Sequence, residues 1–327
     1  MSRRLRPAGL GLIALGLLIL AGLGGVWSVN GRGPAREVTS VVLARGSGVG
    51  GIAGELKDAG VISSAGLFVL MARISGATGD LKAGEYEFAK GASLARVLAD
   101  IRAGKVVRHS LTIPEGWTSG MVVDALAARS ELTGVVGEPP EGSVLPETYE
   151  LQRGETRAAV LARMRAAQDR ALADLWAGRQ RDLPLASPEA AVVLASIVEK
   201  ETGVAQERPR VAAVFINRLR AGMPLQSDPT IIYGLTRGRP LGRGIRASEL
   251  AGETPYNTYR IAGLPPTPIA NPGRAALAAV LDPPATRELY FVADGTGGHA
   301  FAETYAAHER NVARWRALER AKAGGGT

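Results

Sequence analysis

Apolar positions are spread unevenly along the chain. After the polar start MSRRLRP, the stretch AGLGLIALGLLILAGLGGVWSV, Ala8–Val29, carries no charge. Its roughly 22 residues would extend about 33 Å as a helix, enough for the ~30 Å apolar core of a bilayer. NGRGPARE, Asn30–Glu37, reads as a polar linker. Beyond it VTSVVLARG, Val38–Gly46, alternates and is β-branched, which predicts a strand. GELKDAG, Gly54–Gly60, with its flanks predicts a helix ended by Gly60, and Ser63–Gly76 predicts another with a serine cap and a glycine stop. LKAGEYEFAKG predicts a strand with a turn. Ser93–Val106 places Leu94, Val97, Leu98 and Ile101 at helical spacing. VVRHSLTIPEG returns to strand. Residues 38–115 thus form a small α+β module with a loosely repeated strand–helix pattern.

Residues 116–185 read as mostly helical connecting structure with a Pro/Gly-rich break, GVVGEPPEGSVLPETY, Gly134–Tyr149. From Ser187 the pattern changes. Ser187-Pro188-Glu189 supplies a capping hydroxyl, a proline at the first helical position and an acid in the first turn. A second helix starts near Pro209 and stops before Gly222. ELYFVADGTGGHAFAE predicts a β-hairpin with a glycine turn between Asp294 and His299. Thr304 then caps a basic C-terminal helix.

Charge and composition narrow the chemistry. Arg3, Arg4 and Arg6 precede the apolar run, which places the N-terminus in the cytoplasm. Trp27 falls where an interfacial aromatic belongs. A cleaved signal peptide is the rival reading, but the run is long and lacks a clear small-x-small cleavage site. On either reading everything from about Gly31 onward is exported. The chain has no cysteine, which excludes disulfides, thiolate nucleophiles, cysteine zinc sites and a lipid-modified N-terminal cysteine. The net charge of +8 suits anionic lipid or an anionic polymer such as cell wall. No nucleic-acid-binding motif is present, so nucleic acid is not an expected partner.

Few motifs carry chemistry. Gly46-Ser-Gly48-Val-Gly-Gly51 matches G-x-G-x-x-G, but no clear βαβ unit follows and no acidic residue ends a second strand at the required distance. It reads as a turn between strand and helix. G-x-S-x-G, S-x-x-K and H-E-x-x-H are absent, and His109, His299 and His308 lack ligand spacing, so no metal is expected. The informative segment is ASPEAAVVLASIVEKETGV, Ala186–Val204. Wound at about 100° per residue from Leu194, Ala190, Ile197 and Val198 form an apolar stripe, and Glu201 falls at about −20°, within it. Glu199 falls at about 140° and Lys200 at about −120°, on the outward flank, where they read as solvated charges. A carboxyl on an apolar face near a helix C-terminus is pushed toward its protonated form, as a general acid requires. Alternatively the helix frays at Thr202-Gly203 and Glu201 turns to water or pairs with an arginine. In the next helix Arg218 shares the apolar face of Val211, Val214 and Phe215, so it either binds an anionic partner or ligand or snorkels to the surface. Gln226, Asp228 and Tyr233 follow, then Tyr256, Asn257 and Tyr259. Amides and aromatics of this kind suit a saccharide cleft and equally suit ordered loops, and Asp228 before Pro229 could be a helix cap.

Over nearly the whole chain these segments resemble the membrane-bound endolytic murein transglycosylases. The resemblance is carried by ASIVEKETGVAQERPRVAAVFINRLRAGMPLQSDPTIIYGL, TPYNTYRIAGLPPTPIANPG and LYFVADGTGGHAF, with LKAGEYEF and LPETY as weaker marks. LPETY departs from the family's F-P-D-T-Y at Leu145 and Glu147. The resemblance implies an α+β chain in four parts. Residues 1–30 would be an Arg-rich start and single transmembrane helix, and 31–115 a LysM-like module that holds glycan. Residues 116–185 would connect, and 186–327 would be a larger α+β catalytic domain of helices and a β-hairpin. It implies cleavage of MurNAc–GlcNAc bonds with closure of a 1,6-anhydro ring, using Glu201 as the single catalytic acid. Asn217, Arg218, Gln226, Asp228, Tyr233, Tyr256 and Asn257 would contact substrate, without metal or cofactor. The implied partners are peptidoglycan strands, the lipid bilayer through residues 8–29 and cell-wall synthases, with the catalytic domain outside the cytoplasmic membrane. The residues also leave open a two-carboxylate murein hydrolase using Asp228 or Glu199, and a non-catalytic wall-binding scaffold.

Overall fold

The computed structural model describes residues 28–324. The expected transmembrane run over residues 8–29 therefore lies, but for its last two residues, outside the described residues. Among the described residues no helix is long and apolar enough to cross a membrane. The chain divides into two compact units, one of residues up to His109 with Glu150–Glu155, the other of Ser110–Tyr149 with Thr156 onward.

In the first unit β1 (Thr39–Leu43) pairs antiparallel with β2 (Gly84–Phe88), Thr39 opposite Phe88 and Leu43 opposite Gly84. Alternation sends Val41 and Leu43 inward from β1 and Tyr86 and Phe88 inward from β2, while Val42 stays exposed. Three helices cover that face: α1 (Val49–Asp58), α2 (Ala65–Ile74) and α3 (Leu94–Ala103). Ser64 and Ser93 cap α2 and α3, accepting from the amides of Leu67 and Arg96. Ile52, Leu56, Phe68, Val97 and Ile101 close the core. The G-x-G-x-x-G stretch is a turn, with Gly46 at φ 85° and Gly48 preceding α1. The neighbouring strands run antiparallel, unlike the parallel pair of a dinucleotide fold.

The second unit is mainly helical. β3 (His109–Thr112) leads into it and α4 (Ser119–Ala127) follows, then β4 (Thr148–Leu151) and α5 (Arg157–Ala177). Next come α6 (Pro188–Glu201), α7 (Arg208–Arg220), α8 (Asp228–Thr236), a short α9 (Ala247–Ala251) and α10 (Arg274–Leu281). β5 (Tyr290–Ala293) and β6 (His299–Ala302) form the expected antiparallel hairpin, and α11 (Tyr305–Gly324) packs against both strands. Thr304 caps α11, accepting from the amide of Ala307.

At the centre lies α6. Ser187 caps it as the sequence predicts, accepting from the amide of Ala190. Its buried surface is wider than the predicted stripe: every residue from Ala191 to Val198 is buried. The reason is tertiary, since α5, α7, α8 and α10 all pack against it. Ser196 is the polar exception, and it donates to Val193 O and accepts from the amide of Ile269, so neither group is left orphaned.

The unit boundaries differ from the expected breaks at 115 and 185. Residues 110–149 and 156–185 belong to the same unit as the later helices. Buried polar groups bind them in. Asn271 Oδ1 accepts from the amide of Val144 while its Nδ2 donates to Trp117 O, and Gln168 Nε2 donates to Gly142 O. The Arg157 guanidinium donates to the carbonyls of Leu126, Ala127, Arg129 and Gly134. Such partners lie far apart in sequence, which is why local pattern misplaces the boundary.

Leu194 is fully buried at the middle of α6. Leu194→Ala should lower the unfolding free energy by about 3 kcal/mol, read from urea denaturation. A loss under about 1 kcal/mol would show that α6 is not the packing centre of its unit.

Candidate active site

The end of α6 opens onto a cavity of about 490 Å³ lined by Glu201, Arg218, Leu225, Gln226, Asp228, Tyr259, Phe291, Val292, His308 and Trp315. Glu201 is the last helical residue, and Thr202 leaves the helix in extended conformation at φ −140°. Helix carbonyls without partners point the same way, which disfavours a carboxylate there. Burial pushes the Glu201 carboxyl up to about 7, and the charge of Asp228 adds to the rise. The Ser227 hydroxyl, His299 and Arg218 oppose it. Ser227 Oγ donates to Glu201 Oε1 at 2.5 Å. The result is a carboxyl poised between its two forms near neutral pH.

A hydrogen-bonded framework holds Ser227 under that carboxyl. Its amide donates to Thr258 Oγ1 at 2.9 Å, and Thr230 Oγ1 donates to Ser227 O at 2.7 Å. Ser227, Thr230 and Thr258 are all buried. The preceding Gln226 sits at φ 52°, a strained backbone for a side chain with a Cβ, and its amide donates to Thr258 O.

Arg218 is 7% exposed, so it does not snorkel, and among the described residues it makes no ion pair. Instead Nε donates to Leu289 O at 2.7 Å, and Nη1 donates to Leu225 O at 2.8 Å and, at 3.3 Å, to Pro224 O and Gln226 Oε1. One guanidinium thereby straps the 224–226 loop to the entry of β5, next to Glu201.

Asp228 is the first residue of α8, and the cap position before it is Ser227. Its Oδ1 accepts from Tyr259 OH at 2.7 Å. Asn257 positions that tyrosine: its Oδ1 accepts from the Tyr259 amide, while Nδ2 donates to Glu249 O, Leu250 O and Gly252 O.

Of the substrate-contact candidates, Arg218, Gln226 and Asp228 therefore line the cavity with Glu201. Asn257 lies beneath it. Asn217 is turned to Thr286 O and Glu288 O. Tyr233 donates to Glu141 Oε2 at 3.2 Å and stacks edge-on against Tyr256. Tyr233 lines a different cavity of about 440 Å³ with Trp117 and Lys200.

Glu199 differs from expectation. Its side chain is 5% exposed rather than solvated. Its Oε2 accepts from the amide of Gly273 at the start of α10, and Arg208 lies 3.6 Å from Oε1. The outward flank of α6 is thus covered by chain 74 residues later. Burial raises the Glu199 carboxyl above its ordinary value, and the group is engaged at the start of a helix. Lys200 stays exposed as predicted.

Sequence reasoning did not single out Ser227 as a partner of Glu201, nor Phe291, Val292, His308 or Trp315 as cavity residues. Ser227 stands beside Asp228, but nothing local distinguishes a positioning hydroxyl from a loop serine. His308 and Trp315 are seven residues apart on a helix of mostly alanine and charged residues, and that spacing is a readable signal.

Residues 41–314 match the sequence model of the YceG-like family. The chain belongs to the YceG-like family. It is 29% identical over 329 residues to an endolytic murein transglycosylase of Streptococcus pneumoniae serotype 2, covering 85% of this chain. It is 27% identical over 308 residues to an endolytic murein transglycosylase of Bacillus subtilis, covering 84% of each. The chain spans 58% of the length of the pneumococcal relative. A crystal structure of a yceG-like protein from Listeria monocytogenes superposes with a TM-score of 0.51 at 29% identity, covering 84% of this chain and 99% of that one.

The raised Glu201 carboxyl has a consequence for stability. Its folded value of about 7 exceeds its ordinary 4.5, so the folded state holds the proton more tightly. Stability is therefore fully present below about pH 4.5 and is lost as pH rises through about 7, by about 3 kcal/mol in all. Glu201→Gln keeps the acceptor for Ser227 but carries no charge. Its unfolding free energy should exceed that of the parent by more at pH 8 than at pH 4.5. A pH-independent difference would mean that Glu201 titrates normally.

Proposed function

We propose that this protein is an endolytic lytic transglycosylase that cuts the MurNAc–GlcNAc bonds of peptidoglycan strands. The observation that carries the reading is a single acid, Glu201, held near half-protonation at the mouth of a cavity, in a chain of the YceG-like family. Glu201 donates its proton to the glycosidic oxygen as the bond to the anomeric carbon breaks. The carboxylate left behind takes the proton from the C6 hydroxyl of the same MurNAc. The C6 oxygen then bonds to the anomeric carbon, closing a 1,6-anhydro ring, and Glu201 is again protonated. One group acts first as acid and then as base, so no second carboxylate is needed. Ser227 holds Oε1, which leaves Oε2 to work on the sugar.

Residues 8–29 anchor the chain in the cytoplasmic membrane with the N-terminus inside. The first unit, LysM-like, holds glycan, and the second unit cuts nascent strands beside the synthases and so ends their growth. The net charge of +8 supports attraction to an anionic wall or lipid surface.

A second reading rests on a specific observation: Asp228 lines the same cavity as Glu201. With Asp228 as base, the enzyme would be a two-carboxylate hydrolase that adds water. Mass spectrometry of digested peptidoglycan separates the readings. Fragments short of one water, bearing anhydro ends, are expected, whereas reducing ends alone would establish hydrolysis. Absence of any cleavage would leave a wall-binding scaffold.

Glu201→Gln should lower the cleavage rate by roughly a thousandfold, since it removes both proton transfers. The wild-type kcat/KM should fall above about pH 7, where Glu201 loses the proton it must donate. In Ser227→Ala the carboxylate loses a donor that favours its ionised form. That alkaline limb should move to higher pH while kcat drops, because the acid is no longer held. An unmoved limb would remove Ser227 from the control of Glu201.

A further inference from the structure

We propose that the C-terminal helix completes a saccharide subsite beside Glu201, in which Trp315 is a stacking platform and His308 its hydrogen-bonding partner. The subsite rests on reading the cavity as a glycan cleft. Helix α11, YAAHERNVARWRALERAKAG, carries mostly alanine and charged side chains, among which the rings of His308 and Trp315 stand out. Seven residues apart, they project from one face of the helix, offset by about 20°. Both line the cavity that holds Glu201. Trp315 is half-buried yet takes no part in the hydrophobic core built around α6. A tryptophan that leaves the core and faces a polar cavity offers its ring to a ligand. It lies one residue beyond the family match, which ends at 314.

His308 adds a second, independent sign. Its ring stacks on Tyr290 at 5.2 Å between centroids, which fixes the imidazole plane. Its Nδ1 is buried and has no hydrogen-bond partner. Such an orphaned polar atom, in a residue that lines the cavity, is costly unless a small shift of the ring lets a ligand or water meet it. Burial, with the charge of Arg218, lowers the His308 imidazole below its ordinary value and so favours its neutral form. A neutral imidazole has one donor and one acceptor, which suits hydroxyl or acetamido groups better than an anion. The helix is set in place by the hairpin: Lys322 Nζ donates to Gly295 O at 2.9 Å, and Tyr305 meets Tyr290 edge-on. The ligand class is thus an uncharged pyranose, its C–H face on Trp315 and its polar substituents toward His308.

Tryptophan fluorescence of the full-length Glu201→Gln protein, titrated with peptide-free murein glycan strands, tests the subsite. The chain has four tryptophans, and Trp315 should supply most of a saturable change. In the Trp315→Phe version most of that change should vanish, with binding followed by co-sedimentation only modestly weaker. Trp315→Ala should bind about tenfold more weakly, as when one aromatic anchor is lost. His308→Ala should weaken binding in the same sense. A fluorescence change that persists in Trp315→Phe, or none in the parent, overturns the subsite, and the phenylalanine version decides the matter even if the alanine version does not fold. Release of anhydro ends by the wild type tests the proposed reaction separately, so either idea can fail while the other stands.

Discussion

The structure of the second unit turns on one costly placement: a carboxyl at the C-terminal end of a helix that is buried on all sides. Apolar residues from Ala191 to Val198 draw α6 into the centre, with α5, α7, α8 and α10 around it. The helix can then emerge only at its ends. At its C-terminal end Glu201 meets a cavity wall rather than bulk water. Desolvation and the carbonyl end of the helix both favour the protonated form. Ser227 and Arg218 restrain the shift, so the group rests near neutrality instead of being locked in one state. A carboxyl that can give and retake a proton is a product of burial as much as of residue type.

Most of the surrounding polar residues hold that wall in place. Arg218 spends its donors on backbone carbonyls of the 224–226 loop and of Leu289. Thr230 and Thr258 fix the backbone of Ser227. Asn257 gathers three carbonyls and orients Tyr259, which in turn holds Asp228. Asn217 ties α7 to the segment before β5. Amides and guanidinium groups that suit a sugar equally suit an irregular loop that needs its carbonyls satisfied. Three side chains that reach the cavity, Tyr259, His308 and Trp315, come from a loop and a terminal helix laid against the helical centre only by folding.

Glu199 and Glu201 show how the same residue type is given two tasks two positions apart. Both carboxyls are raised by burial. Glu199 is closed off by Gly273 and Arg208 and serves as a helix cap, whereas Glu201 keeps an open face. A 100° turn per residue separates them by about 200°, so each meets a different neighbour.

What the sequence determined by itself is whatever depends on near neighbours. The caps at Ser64, Ser93, Ser187 and Thr304, the antiparallel hairpin at 290–302, and the direction of Glu201 along an apolar face follow from spacing and hydrogen bonds within a few residues. The resemblance in the segments around Glu201 was legible in the same way. Tertiary structure decided the rest. It buried Glu199, whose cover lies at Gly273, and turned Arg218 into a strap. It merged residues 116–149 with the later helices and brought His308 and Trp315 to the cavity that Glu201 lines. Each of those outcomes depends on groups far apart along the chain. A periodicity reads only the face that a helix turns outward, and packing alone decides what covers that face.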